Sequence, residues 1–230
     1  SANAVLNPSG VNLAIGSLSG GGATGGNVFF VNAASRLTTG GANTNTTFSG
    51  SASGAGGFTK VGTGTFTLDG TTTNTGTNFV NQGTLRLASA GAISTAPMNV
   101  AESGVLDLAV NVATTGTVTM SGSAATILGV GTLTAPGYAF TNTSGTSSAS
   151  VNLLGAGGLT KSGSGIGLLS GINTYSGTTS ITGGVLSITS TAALPGWDTP
   201  GRYTTSAGGA LVVGSAVSDG EFNTIRTTGS

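Results

Sequence analysis

The chain contains a long internal repeat, and that repeat most narrows what it can fold into. Residues 56–93 align without a gap onto 157–194 at a constant offset of 101, with 15 of 38 positions identical. Gly56-Gly57 falls on Gly157-Gly158, Thr59-Lys60 on Thr160-Lys161, Leu68 on Leu169, Gly83 on Gly184 and Leu85 on Leu186. A duplication without insertions asks for the same local geometry twice. Aliphatic residues inside and around it alternate with polar ones, as in Leu85-Arg86-Leu87, Leu106-Asp107-Leu108, Val118-Thr119-Met120 and Leu186-Ser187-Ile188, and earlier at Val11, Leu13 and Ile15. In a strand such alternation sends aliphatics to one face and polar groups to the other. The runs are short and closed by Gly, Asn or Ser, which predicts many short strands with turns every few residues. Gly, Thr, Ser and Asn are poor helix formers, so no helix is expected.

Spacing then separates a sandwich from a solenoid. Leu85 to Leu106 is 21 residues and Leu186 to Leu211 is 25, about one coil of a parallel β-helix. The expected fold is therefore all-β, a single continuous β-solenoid over residues 1–230, with like residues stacked above like. Copy two departs from copy one at 195–205, which reads as a loop insertion, and resumes at Gly209-Ala210-Leu211-Val212-Val213. Neither Ser1–Val5 nor Thr227–Ser230 reads as a capping helix, so both ends are expected to present unpaired strand edges.

Composition removes several function classes. There is no Cys and no His, hence no disulfide, no Cys/His zinc site and no Cys/His nucleophile pair. Six basic and six acidic residues balance to zero charge, without the basic footprint that nucleic-acid binding needs. Disorder combines low hydrophobicity with high charge, whereas this chain is 5% charged with a mean hydropathy of +0.29. The apolar runs are far shorter than the ~20 residues of a membrane helix, so no transmembrane segment is read. The chain opens on Ser1 with no signal-like segment, as a processed product or an excerpt would.

The run Gly158-Leu159-Thr160-Lys161-Ser162-Gly163-Ser164-Gly165, then Leu169 to Thr179 with its Asn173-Thr174-Tyr175-Ser176-Gly177 centre, then Gly184-Val185-Leu186, resembles the autotransporter-associated (passenger) β-strand repeat. Gly16 to Gly20 and Thr46 to Gly50 are similar to its lead-in, and Leu194 to Tyr203 to a tract of very long extracellular bacterial proteins that carry it. Copy one departs from the pattern at Thr72-Thr73-Asn74, and copy two at Ile166-Gly167-Leu168-Leu169. The resemblance implies a right-handed parallel β-helix, secreted to a bacterial surface.

Candidate chemistry is sparse. Of the acids Asp69, Glu102, Asp107, Asp198, Asp219 and Glu221, only the last two are close in sequence, and as a strand they would share one face. Calcium wants six to eight oxygens and a glycosidase wants a facing carboxylate pair; neither is legible. No catalytic residue, metal site or cofactor is expected. Lys60 and Lys161 occupy equivalent repeat positions and read as exposed charges on strand-flanking turns, or as contacts to a neighbour's carboxylate. Trp197 and Tyr203 bracket a Pro-containing loop and could stack on sugar, although such a Trp more often folds back over apolar surface. Asp198 and Arg202 are placed to pair across that loop. Thr65-Phe66-Thr67, Thr117-Val118-Thr119 and Thr132-Leu133-Thr134 have the dipeptide spacing of an ice-binding ladder but keep no fixed phase.

These readings point to a structural β-solenoid in an extracellular fibre, filament or coat, joined end to end with other copies or with neighbouring repeats of a longer chain. An adhesin that binds glycan or a host surface is the alternative, and a polysaccharide-active β-helix enzyme stands behind both.

Overall fold

The computed structural model describes residues 4–22, 26–89, 92–93, 96–109 and 112–228. Among them lies a parallel β-solenoid of about nine turns. A ten-stranded sheet runs from Asn12–Ala14 to Tyr203–Thr205, and a nine-stranded sheet from Thr46–Phe48 to Gly209–Val213. A third side is made by a four-stranded sheet that starts at Val5–Leu6 and a three-stranded sheet over Val112–Thr114, Thr132–Thr134 and Asn152–Leu154. Every strand pair among the described residues is parallel, as it must be when one coil is laid on the next.

The two spacings that suggested coils are coils. Leu85 pairs with Leu106 and Leu186 with Leu211. The offset of 101 spans five coils: the strands Gly57–Lys60 and Leu159–Lys161 lie five places apart in the ten-stranded sheet, and Thr84–Leu87 and Gly184–Ile188 five apart in the nine-stranded one. The three Thr-x-Thr strands belong to three different sheets and form no common ladder.

The core is a set of columns along the axis. Leu85, Leu87, Leu106, Leu108, Leu186 and Ile188 are all buried, while Arg86 and Asp107 face out and pair at 2.7 Å. Only the first strand of the alternating set behaves differently. Leu13 and Ile15 are only half-buried, and Val11 on the same alternation is exposed, because no further coil covers them among the described residues.

Corners use glycine where a side chain has no room. Gly83 and Gly184, equivalent in the two copies, have φ of 60° and 64°. A Cβ on either would run into a carbonyl of the preceding coil, that of Gly62 or Gly163. Asparagine amides tie coil to coil: Asn45 Oδ1 accepts from Thr65 N at 2.8 Å, and Asn152 Oδ1 from Ile172 N at 2.9 Å.

A helix is present where none was expected. Asp219–Thr228 is α-helical and lies over the last coil; Gly229 and Ser230, like Ser1 to Asn3 at the other end, are outside the described residues. Asp219 and Glu221 therefore sit in the first helical turn rather than on a strand face. The physical reason is a capping box: Ser218 N donates to Glu221 Oε2 at 2.8 Å, and Glu221 N reaches back to Ser218 Oγ at 3.4 Å. This Ser-x-x-Glu pattern satisfies helix N–H groups and offsets the poor helix propensity of the Gly and Thr residues in the segment.

Candidate functional site

The interior of the repeat, not its surface, holds the unusual chemistry. Lys60 and Lys161 are strand residues 1% and 0% exposed, which corrects their reading as surface charges or as contacts to a neighbour. They stand in one inward column of the ten-stranded sheet: Thr39, Lys60, Val80, Val100, Met120, Phe140, Lys161, Ile181 and Thr205. The alkyl stems fill the column and the ammonium groups turn to the corner carbonyls. Lys60 Nζ donates to the carbonyls of Val61 and Gly62 at 2.8 Å and of Gln82 at 3.1 Å. Lys161 Nζ donates to Gly163 and Gly183. Each lysine thus ties its own corner to the next coil's. Burial pushes the Lys60 ammonium down to about 8 and lowers that of Lys161.

Where copy one has Asn74, copy two has Tyr175, and the local bond survives the change. Asn74 Nδ2 donates to Asn78 Oδ1 at 3.1 Å, and the Tyr175 hydroxyl bonds Thr179 Oγ1 at 2.7 Å. Asn78 and Thr179 are themselves equivalent by the offset. The Tyr175 ring lies 6.0 Å from that of Tyr138, and burial pushes its phenol up to about 12.

The segment 195–205 is only partly an insertion. Its last residues, Tyr203–Thr205, form a strand paired with Thr179–Ile181. Tyr203 is 3% exposed with its hydroxyl donating to the Ile225 carbonyl, so it offers no free ring to a sugar. Trp197 is half-buried and packs against the core. Asp198 and Arg202 do not pair: Arg202 instead donates to the Ser176 carbonyl of the adjacent coil, and Asp198 accepts from Thr199 at 3.3 Å. The remaining acids are distributed. Asp69 accepts from Ser49, Glu102 from Gln82, and Asp107 from Arg86. Among the described residues no three acids lie close enough together to hold a metal ion, and no helix is long and apolar enough to cross a membrane.

The two ends of the stack differ from its middle. At the C-terminal end Ile225 is buried and Thr191 Oγ1 donates to Glu221 Oε1 at 2.8 Å, but Phe222 is half-exposed. A cavity of about 250 Å³ remains under the helix, walled by Tyr203, Leu211, Val213, Phe222 and Ile225. At the N-terminal end a cavity of about 270 Å³ opens between Val5, Leu6, Leu18, Val28 and Phe48. The hydrogen bonds around Glu221, from Ser218 N first, then Ser218 Oγ and Thr191, hold its carboxyl below the usual range.

No curated protein and no solved structure matches the chain. The family model of the passenger-associated-transport-repeat matches residues 58–87 and 159–188. The tracts 16–20, 46–50 and 194–203, which resembled parts of such proteins, lie outside the matched residues. Each match begins at the strand carrying the interior lysine and ends on the facing strand of the next coil, Thr84–Leu87 or Gly184–Ile188. The interior lysine is thus a feature of both matched units, and the chain is a β-solenoid that carries two copies of the passenger-associated-transport-repeat, a repeat found in autotransporter-like bacterial surface proteins.

Proposed function

We propose that the chain is a structural segment of a bacterial surface fibre, filament or coat, secreted and exposed, which contributes length and rigidity rather than chemistry. The observation that carries this reading is the in-register stacking of coils through both repeats, in which even the two lysines are consumed by internal bonds. Nine steps of ~4.8 Å along the ten-stranded sheet give a rod of roughly 43 Å. The acids serve neighbouring serine, glutamine, arginine and helix groups, which supports a non-catalytic role. Negative-stain imaging of the native cell surface with a label on this chain tests the reading. Label repeating along fibres or a coat supports it; label on a diffuse, released protein overturns it. Purified protein should release no sugar from a broad polysaccharide panel, with or without calcium. Turnover that disappears on a single Asp→Asn change would replace the structural role with an enzymatic one.

A further inference from the structure

Coil stacking buries the inward columns almost completely in the middle of the molecule and incompletely at both ends. Leu186 and Ile188 are fully buried, yet Leu211 and Val213, their partners one coil on, are only partly buried although the C-terminal helix lies over them. The helix also leaves the cavity of about 250 Å³ that a further coil would fill. At the N-terminal end Leu6 and Leu18 are partly buried around a cavity of similar size, about 270 Å³, and Leu13 in the edge strand is also only partly buried. The edge strands of the ten-stranded sheet are Asn12–Ala14 at one end and Tyr203–Thr205 at the other, both parallel members of the same sheet. A copy placed head to tail would continue that sheet by the same parallel rule that joins every coil within it.

The helix is a weak obstacle. It has ten residues, including a Gly and three Thr, in a length range where isolated helices are marginal. Its one buried apolar anchor among the described side chains is Ile225, helped by the Tyr203 hydroxyl and by Thr191. We propose that the C-terminal helix is a displaceable plug over the last coil's strand edge, and that the occupant it excludes is the N-terminal edge coil of a second copy of this chain. The helix then sets when rods join, and joining converts a half-covered core into a covered one. This rests on the reading of the chain as a rod segment.

Sedimentation velocity, hydrogen exchange and negative stain on the 230-residue chain and three variants test it. The unaltered chain should be a single rod of one length with the helix amides protected. Ile225→Asp should expose the helix amides, leave the central coils protected, and give concentration-dependent species whose length rises in multiples of one rod. Adding Leu13→Asp, which spoils the other end's inward column, should return the doubly substituted protein to a single rod. Should Ile225→Asp unfold the coils as well, the milder Ser218→Ala, which removes the capping hydroxyl, takes its place, and its degree of association should follow its helix exchange rate. A variant with an exchanging helix and intact coils that stays monomeric at every concentration overturns the plug. So does association that persists with Leu13→Asp, since it would arise from another surface. In either case single rods of the expected length would leave the structural role standing; particles that are not rods would sink that role separately.

Discussion

Lys60 shows what the alternation rule says when it is applied without prejudice about residue type. Phe58-Thr59-Lys60 and Leu159-Thr160-Lys161 put each lysine on the same strand face as a buried apolar residue, two positions away. The inward position was legible from that period, but the usual surface preference of Lys overrode it. The carbonyls that make burial tolerable come from turns one coil apart, and no sequence spacing announces them. The burial of Tyr203 is hidden from the sequence for a related reason: what covers it is Ile225, 22 residues on, in a helix the composition argues against. The buried ammonium makes stability depend on pH. Lys60 releases its proton near 8 in the folded chain and near 10.5 when unfolded. Between those values the unfolded chain binds more protons, so stability rises with pH. Tyr175 acts in the opposite sense above pH 10, where the unfolded phenol ionises while the buried one holds its proton to about 12. Denaturation midpoints should therefore rise from pH 7.5 to pH 9.5 and fall again beyond 10. Lys60→Met should flatten the rise; an equal rise in that variant would mean another group is responsible.

Strands were legible because each is a short alternating run with a turn residue at either side. Their pairing was legible because one coil repeats the pattern of the last. The C-terminal helix was not, although Ser218-Asp219-Gly220-Glu221 contains a capping box; composition counted against helix everywhere and concealed a local signal. Two predictions belong to this scale. Leu87 is fully buried, and Leu87→Ala should cost about 2–5 kcal/mol. Arg86 sits on the opposite face in an exposed ion pair, so Arg86→Ala should cost at most about 1 kcal/mol. Urea denaturation of both variants checks the face assignment, which fails if the order is reversed. The corners can be examined in the same way. Gly184 and Gly201 both have positive φ, 64° and 77°, but only Gly184 is crowded by the backbone of the preceding coil. Gly201→Ala meets open space and should cost only the left-handed penalty, ~1–2 kcal/mol. Gly184→Ala adds a clash with the Gly163 carbonyl and should cost clearly more. Equal losses would mean that coil spacing adjusts freely at corners.

Across the whole molecule, contacts run from each coil to the next, so stability is close to a sum of coil terms and nearest-neighbour terms. A central coil has two neighbours and an end coil has one. The burial pattern follows that count. Leu106 and Leu108 in the middle are 0% exposed, whereas Leu13 at one end and Leu211 at the other are only partly covered. Opening a central coil must break two interfaces or wait for one side of the stack to unravel, while an end coil opens by losing one. The helix adds a partial second neighbour to the last coil, and no such element lies over Asn12–Ala14 among the described residues. Amide exchange should therefore be slowest at Thr84–Leu87 and Val105–Leu108, faster at Gly209–Val213, and fastest at Asn12–Ala14. Denaturant should raise the centre's exchange rates more steeply than those of the end coils, because the response scales with the surface exposed and local opening exposes less than global opening. Uniform protection along the stack would show that the nine turns unfold as one unit, with coupling between coils so strong that the ends are not separate from the middle.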